Sequence, residues 1–226
     1  MSTRVETTQD PKWRRLPEER PRQILDAALA VFAEHGIAAA RLEEIASRAG
    51  VSKGTIYLYF HSKEDLFREV VRLLVVPLIA RGDDLLAGGT ATQELTSYIS
   101  HQWRVFDLPE SEGWVRLVLL ELHKYPDLAA FYRTEVIERS NQVLGDIVRH
   151  GIASGEFRAL DPECAVRMIK AVILMHVLWS GTFSQTIQLR AKPRDVVLQE
   201  ITEFVVHALC ATGDRNPASG SGARSA

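Results

Sequence analysis

Apolar residues return every third or fourth position along most of this chain, the spacing that lays one hydrophobic stripe along a helix. In "RPRQILDAALAVFAEHG" the stripe is Ile24, Ala27, Ala28, Val31 and Phe32, with Pro21 near the start and Gly36 where a C-terminal cap belongs. A shorter stripe of Leu42, Ile45, Ala46 and Ala49 ends at Gly50. In "KGTIYLYF" the i, i+4 pair Ile56 and Phe60 predicts a third short helix that these two side chains anchor from behind. Ser62 stands three residues ahead of Asp65, the spacing of a capping box, so a fourth helix is predicted to start there. It carries Leu66, Phe67, Val70, Leu73 and Leu74 across 63–80, and Pro77 is expected to kink or end it. Further helical patterns cover about 91–106, 113–124, 127–151, 162–184 and 194–211. No stretch alternates as a half-buried strand does, and no repeat of fixed period appears. The fold class expected is all-α.

The stretch "GVSKGTIYLYFHSKEDLF" concentrates polar and aromatic side chains on a very short element. Tyr57 and Tyr59 are two apart, so on a helix they point in different directions and at least one is exposed. Two short helices joined by a tight turn at Gly50, the second studded with exposed polar groups, match a helix-turn-helix, whose second helix enters the DNA major groove. The residue types fit that task. Lys53 brings positive charge, Gly54 lets the backbone approach DNA, Thr55 can meet phosphate or base, and the two tyrosines reach outward with hydroxyl donors.

Through "ILDAALAVFAEHG", "LEEIASRAGVSKGTIYLYF" and "SKEDLF", residues 21–67 resemble the tetracycline-repressor (TetR) family of bacterial regulators. The resemblance implies a homodimer with an N-terminal three-helix DNA-binding domain and a larger helical domain that holds an effector and the dimer interface. It carries DNA contact over to Ser52, Lys53, Gly54, Thr55, Tyr57 and Tyr59, and a phosphate-contacting position to Lys63. The family usually has Thr or Ser just before "LEEIA", whereas this chain has Ala40 and Arg41. Arg41 is expected to replace the phosphate contact by charge, while the lost helix cap costs about 1 kcal/mol. The domain layout expected is a flexible basic arm at 1–19, a helix-turn-helix domain at 20–66 with its motif about 41–60, an effector and dimerisation domain at 67–211, and a flexible tail at 212–226.

Composition narrows the alternatives. The 226 residues are 46% hydrophobic and 25% charged, with net charge -2, so DNA contact must come from a local arrangement and not from a generally basic coat. Such a concentration exists in the arm, where Lys12, Arg14, Arg15, Arg20 and Arg22 face only Glu18 and Glu19. The longest apolar run, "LLVVPLIA", is too short to span a bilayer, and "MSTRVETTQDPKWRR" has no signal-peptide core, so a cytoplasmic protein with no membrane partner is expected. Cys164 and Cys210 fit neither a disulfide framework nor a metal site, and no metal or cofactor is expected. No catalytic motif of the GxSxG, HExxH, Walker or dinucleotide type occurs, and His176 with Ser180 four residues on has no nearby carboxylate in sequence to orient it. An enzyme is therefore not expected.

An architectural DNA-binding protein would need only a plain core in its C-terminal part. This chain instead has Trp103, Phe106, Trp114, His123, Tyr125, Phe131, Tyr132, Met168, Met175, His176, Trp179 and Phe183, most of them core and some available to line a cavity. Trp114, Leu117, Val118 and Glu121 recur at i, i+3, i+4 and i+7, which places a carboxylate on an inward face as half of a buried pair or as a ligand contact. The effector site expected is a mainly apolar pocket between 103–125 and 165–183, walled by Trp103, Trp114, Glu121, His176 and Trp179 and suited to a lipophilic or cationic molecule. Its occupant would act by shifting the helix at 63–80. The two last helices, apolar from Val172 to Leu178 and at Val196, Val197, Ile201, Phe204, Val205 and Leu209, are expected to build a four-helix dimer interface.

Overall fold

The computed structural model describes residues 19–80, 88–180 and 192–210, all helices and turns apart from one isolated bridge between Phe157 and Cys210. The expected arm and tail, and the ends of the helices predicted to reach 184 and 211, lie outside the described residues. Helix α1 (Glu19–Ala39) bends at Gly36, whose φ of 75° is a left-handed conformation that a side chain would disfavour. Helices α2 (Leu42–Arg48) and α3 (Lys53–Tyr59) follow, joined through Gly50 at φ 67°. Helix α4 (Lys63–Val70) starts where the sequence predicts, with the Ser62 hydroxyl accepting from the Asp65 amide.

Pro77 does not end this helix. The chain runs on through a π-helical turn (Val71–Val75) into α5 (Val76–Ala80), and the Val76 amide donates to the Val71 carbonyl five residues back. A widened turn just ahead of the proline relieves the clash of its ring with the preceding turn, so the axis continues.

The body consists of α6 (Ala91–Val105), α7 (Ser111–Leu120), α8 (Pro126–Tyr132), α9 (Arg139–Ser154), α10 (Pro162–Ser180) and α11 (Arg194–Leu209). The patterns at 113–124 and 127–151 are more broken than the periodicity suggests. Helix α7 stops at Leu120 and a short 3-10 turn (Leu122–Lys124) follows, while a π-helical turn (Arg133–Glu138) joins α8 to α9.

Two cores form. One gathers Ile24, Phe32, Ile45, Ile56 and Phe67 of the first four helices together with Trp114, Leu117, Leu128, Tyr132 and Val136 of the body. The other holds Leu95, Ile99, Trp103, Leu144, Ile147, Phe157, Ile169, Ile201 and Val205. The first core crosses the expected boundary near residue 66, because α1 lies directly on α7: the Arg116 guanidinium donates to the Ala33 carbonyl at 3.2 Å, and a Cβ on Gly113 would meet that same oxygen at 2.2 Å. Glu156 ties the second core's loop to the start of α6 by accepting from the amides of Ala91 and Thr92 and the Thr92 hydroxyl.

Candidate DNA-binding face and effector cavity

Helix α3 is held from behind by Ile56, which is fully buried, and Phe60, and it offers its other sides to solvent. Ser52 caps it: the Ser52 hydroxyl accepts from the Thr55 amide at 3.1 Å and pairs with the Thr55 hydroxyl at 2.9 Å. Tyr57 is 48% exposed, Leu58 79% and Tyr59 38%, so both tyrosines face outward and a leucine joins them. The Lys53 ammonium bonds Glu43 of α2 and sits 5.9 Å from the Tyr57 ring centre. The pairing holds the Glu43 carboxyl below its ordinary value and Lys53 above its own.

Arg41 is exposed at the start of α2, with no side-chain cap there, in agreement with the missing Thr or Ser. The Lys63 ammonium donates to the Ala38 and Ala40 carbonyls at 3.0 and 3.3 Å, fastening α4 to the end of α1. Beside this face, Arg48 makes a two-pronged contact with Glu34 at 2.6 Å and also bonds Glu44, which His35 approaches at 3.2 Å. Within it only Glu44 and Arg48 stand at i, i+4 on one helix; the links to Glu34 and His35 join two helices and have no mark in the sequence.

A cavity of about 250 Å³ opens beneath the first core. Leu29 of α1 and Leu74, Val75 and Leu78 of the α4–α5 segment form its wall toward the DNA-binding helices. Trp114, Val115, Val118 and Leu119 of α7, Val136 and Ile137, Ile173 and Leu174 of α10, and Val105, Phe106 and Leu108 at the end of α6 form the rest of the apolar lining. Its polar groups come mainly from Tyr98, Gln102, Ser140 and Lys170, with Glu110 and Ser111 at the turn entering α7. The cavity therefore lies between the helices expected, but its walls differ.

Of the five wall residues predicted, Trp114 lines the cavity, with its indole N–H donating to the Tyr132 hydroxyl at 3.3 Å. Burial pushes that tyrosine up to about 12 against the opposing effect of this bond. Trp103 is buried in the second core under the Arg194 guanidinium, 5.0 Å from its ring centre. His176 and Trp179 pack on each other at 5.6 Å, and the His176 ring approaches the Val172 carbonyl; α10 turns Lys170, Ile173 and Leu174 inward, which carries these two to other faces. Glu121 follows the last residue of α7, and its carboxylate lies where a Cβ on Gly36 would stand, 2.2 Å from Oε1. It sits at the bend of α1 and not in the cavity lining.

The comparisons with known proteins agree with this arrangement. The model of the bacterial regulatory proteins of the tetR family matches residues 24–70, and that of the tetracyclin repressor-like C-terminal domain matches 86–190. The fatty acid metabolism regulator protein of Bacillus subtilis is 32% identical over 162 residues, covering 70% of this chain and 82% of that protein. The chain belongs to the TetR family.

This TetR-family chain is thus a DNA-binding transcriptional regulator. It is also 28% identical to the transcriptional repressor KstR2 of Mycolicibacterium smegmatis, over 72% of this chain and 80% of that one. Among solved structures, the regulator FadR of B. subtilis in complex with stearoyl-CoA matches with a TM-score of 0.68 at 29% identity, covering 83% of this chain and 98% of that one. A transcriptional regulator from Saccharomonospora viridis in complex with choline matches with a TM-score of 0.72 at 25% identity, covering 86% and 100%. Among the described residues, no helix is long and apolar enough to cross a membrane.

Proposed function

We propose that the chain is a cytoplasmic, homodimeric repressor that binds a near-palindromic operator and is released from it by a lipophilic small molecule. It regulates and does not catalyse. Ser52, Lys53, Gly54, Thr55, Tyr57 and Tyr59 meet the DNA, and Arg41 and Lys63 reach phosphate by charge, Lys63 also bracing the end of α1. The observation that carries the effector reading is the cavity's shared wall: Leu29, Leu74, Val75 and Leu78 belong to helices that continue into the DNA-binding head. A molecule that swells or orders this cavity moves the head relative to the body, and in a dimer it changes the spacing of the two α3 helices. The relatives whose names mention fatty acid metabolism and the neighbour bound to stearoyl-CoA support an apolar effector.

Exposed apolar side chains on the last two helices support the dimer: Met168 and Met175 on α10, Val196 and Phe204 on α11. The test is a selection of bound DNA from a random pool. A palindromic consensus with half-site centres roughly 34–36 Å apart, or a multiple, is the expected outcome. An enriched sequence without two-fold symmetry, or no enrichment, overturns the reading.

A further inference from the structure

Lys170 stands in an unusual setting for a lysine. It projects from the apolar helix α10 into the cavity lining, and both bonds of its ammonium go to neutral groups, the Ser140 hydroxyl at 2.9 Å and the Asn141 side-chain carbonyl at 2.5 Å. Among the described residues no carboxylate pairs with it. Burial alone acts on it and brings it down to about 8. An ammonium has three donors, so one remains beyond these two bonds.

The groups around it form a chain of polar contacts along one end of the cavity. Gln102 donates to the Tyr98 hydroxyl at 3.0 Å, and that hydroxyl meets Ser140 at 3.2 Å. Tyr98, Gln102, Ser140 and Lys170 all line the cavity, and the surfaces beyond them are Ile173, Leu174, Val136, Ile137 and the apolar face of α7. A desolvated cation with no counterion among the described residues, set in a polar cluster that opens onto an apolar chamber, is complementary to an amphiphile with one negative charge. The chamber's size sets the tail. A cavity of about 250 Å³ is small beside the roughly 300–1,000 Å³ of drug-sized ligand pockets, which favours a tail of medium length over a long one.

We propose that the effector is a lipophilic monocarboxylate of medium chain length, with its carboxylate on Lys170 and Ser140 and its hydrocarbon tail between α7 and α10. This rests on the reading of the cavity as the effector site and adds the charge of the ligand. It reverses the polarity expected from the sequence, where Glu121 suggested a cation; Glu121 is elsewhere, and the cavity's carboxylate, Glu110, enters from the turn ahead of α7 without an ion pair to Lys170 among the described residues. A free acid and its thioester share the same tail, and only the free acid brings the charge to Lys170.

The full-length protein is titrated calorimetrically, without DNA, with sodium decanoate, 1-decanol, decyltrimethylammonium and decanoyl-CoA. Decanoate is expected to bind at least tenfold more tightly than each of the other three. Lys170→Met is expected to lower decanoate affinity to that of decanol, and Leu174→Trp, which fills the tail region, to weaken both. Equal binding of decanoate and decanol to the parent, tighter binding of the thioester or the cation, or a folded Lys170→Met that keeps decanoate affinity overturns the proposal. If Lys170→Met fails to fold, Lys170→Gln carries the same comparison, and the parent's ligand ranking decides by itself. Operator release is measured separately. Decanoate that binds through Lys170 but releases no operator removes the effector reading and leaves the headgroup site; release by decanol or by the cation, independent of Lys170, does the opposite.

Discussion

The indole of Trp114 lies flat against the ring of Phe67, with centroids 5.3 Å apart and planes 12° from parallel. Trp114 lines the cavity and Phe67 belongs to α4 of the DNA-binding head, so this stack joins the cavity wall to the head through side chains alone. Phe67 also meets Phe32 of α1 edge-on at 5.9 Å. The energy of such an aromatic pair beyond area burial is about 1 kcal/mol, comparable with the coupling that allosteric proteins need. Phe67→Leu is expected to keep the fold and effector affinity while weakening effector-driven operator release. Titrating effector against operator-bound protein, beside calorimetry without DNA, separates the two; unchanged release in a folded variant sets this path aside.

A second link runs through Gly113, where a methyl group would press on the Ala33 backbone oxygen at 2.2 Å. Gly113→Ala cannot be accommodated by a flexible side chain and must push α7 from α1, at a cost of about 1–3 kcal/mol. Thermal unfolding is expected to shift down, and basal operator affinity to change even without effector. A variant identical to the parent in both would show that α7 and α1 move independently.

Glu43 occupies the Lys53 ammonium that DNA phosphate would otherwise attract. Glu43→Gln is expected to strengthen operator binding about two- to fivefold at low salt, with a smaller gain as salt rises. Lys53→Ala is expected to weaken binding and to reduce the slope of log affinity against log salt by about 0.9 if it makes one phosphate contact. Fluorescence anisotropy over a salt series reads both variants. A slope unchanged in Lys53→Ala would leave Lys53 with a structural role only.

Acid stability should report Glu156. Burial raises its carboxyl, but the amides of Thr92 and Ala91 and the hydroxyls of Thr92 and Ser154 outweigh that and bring it down to about 2. A carboxyl lowered in the folded state contributes stability that is fully present above its ordinary value of 4.5 and is lost as pH falls toward 2. Glu156→Gln is expected to cost about 1 kcal/mol near neutral pH, as for the loss of a helix cap, and the difference from the parent should shrink below about pH 4. Urea unfolding at several pH values measures it; a pH-independent difference assigns the loss to packing.

Phe204, 63% exposed on α11, tests the dimer. Phe204→Glu is expected to yield a monomer by light scattering and to weaken operator binding by more than tenfold, since each half-site then binds alone. A Phe204→Glu dimer that binds operator as the parent does would place the interface elsewhere.

Periodicity and capping residues were enough to read where most helices lie, though not the breaks after Leu120 and at Arg133–Glu138. Ile24 through Phe32 and the Ser62 cap act within a turn or two of themselves, and the structure keeps them where local rules put them. The outward side of α3 could be read for the same reason, because Lys53 to Tyr59 is a single short helix whose two sides follow from its own spacing. The lining of the cavity could not, since its polarity depends on which faces of distant helices meet. Glu121 lost its expected place when α7 stopped at Leu120, the residue just before it, and the chain turned toward Gly36. Lys170 stood in plain sight in "MIKAVILMHVLW", but only the packing of α6, α9 and α10 sets Tyr98, Gln102 and Ser140 beside it and keeps carboxylates away among the described residues. Helix formation is decided by neighbours in sequence, whereas the charge of a cavity is decided by neighbours in space.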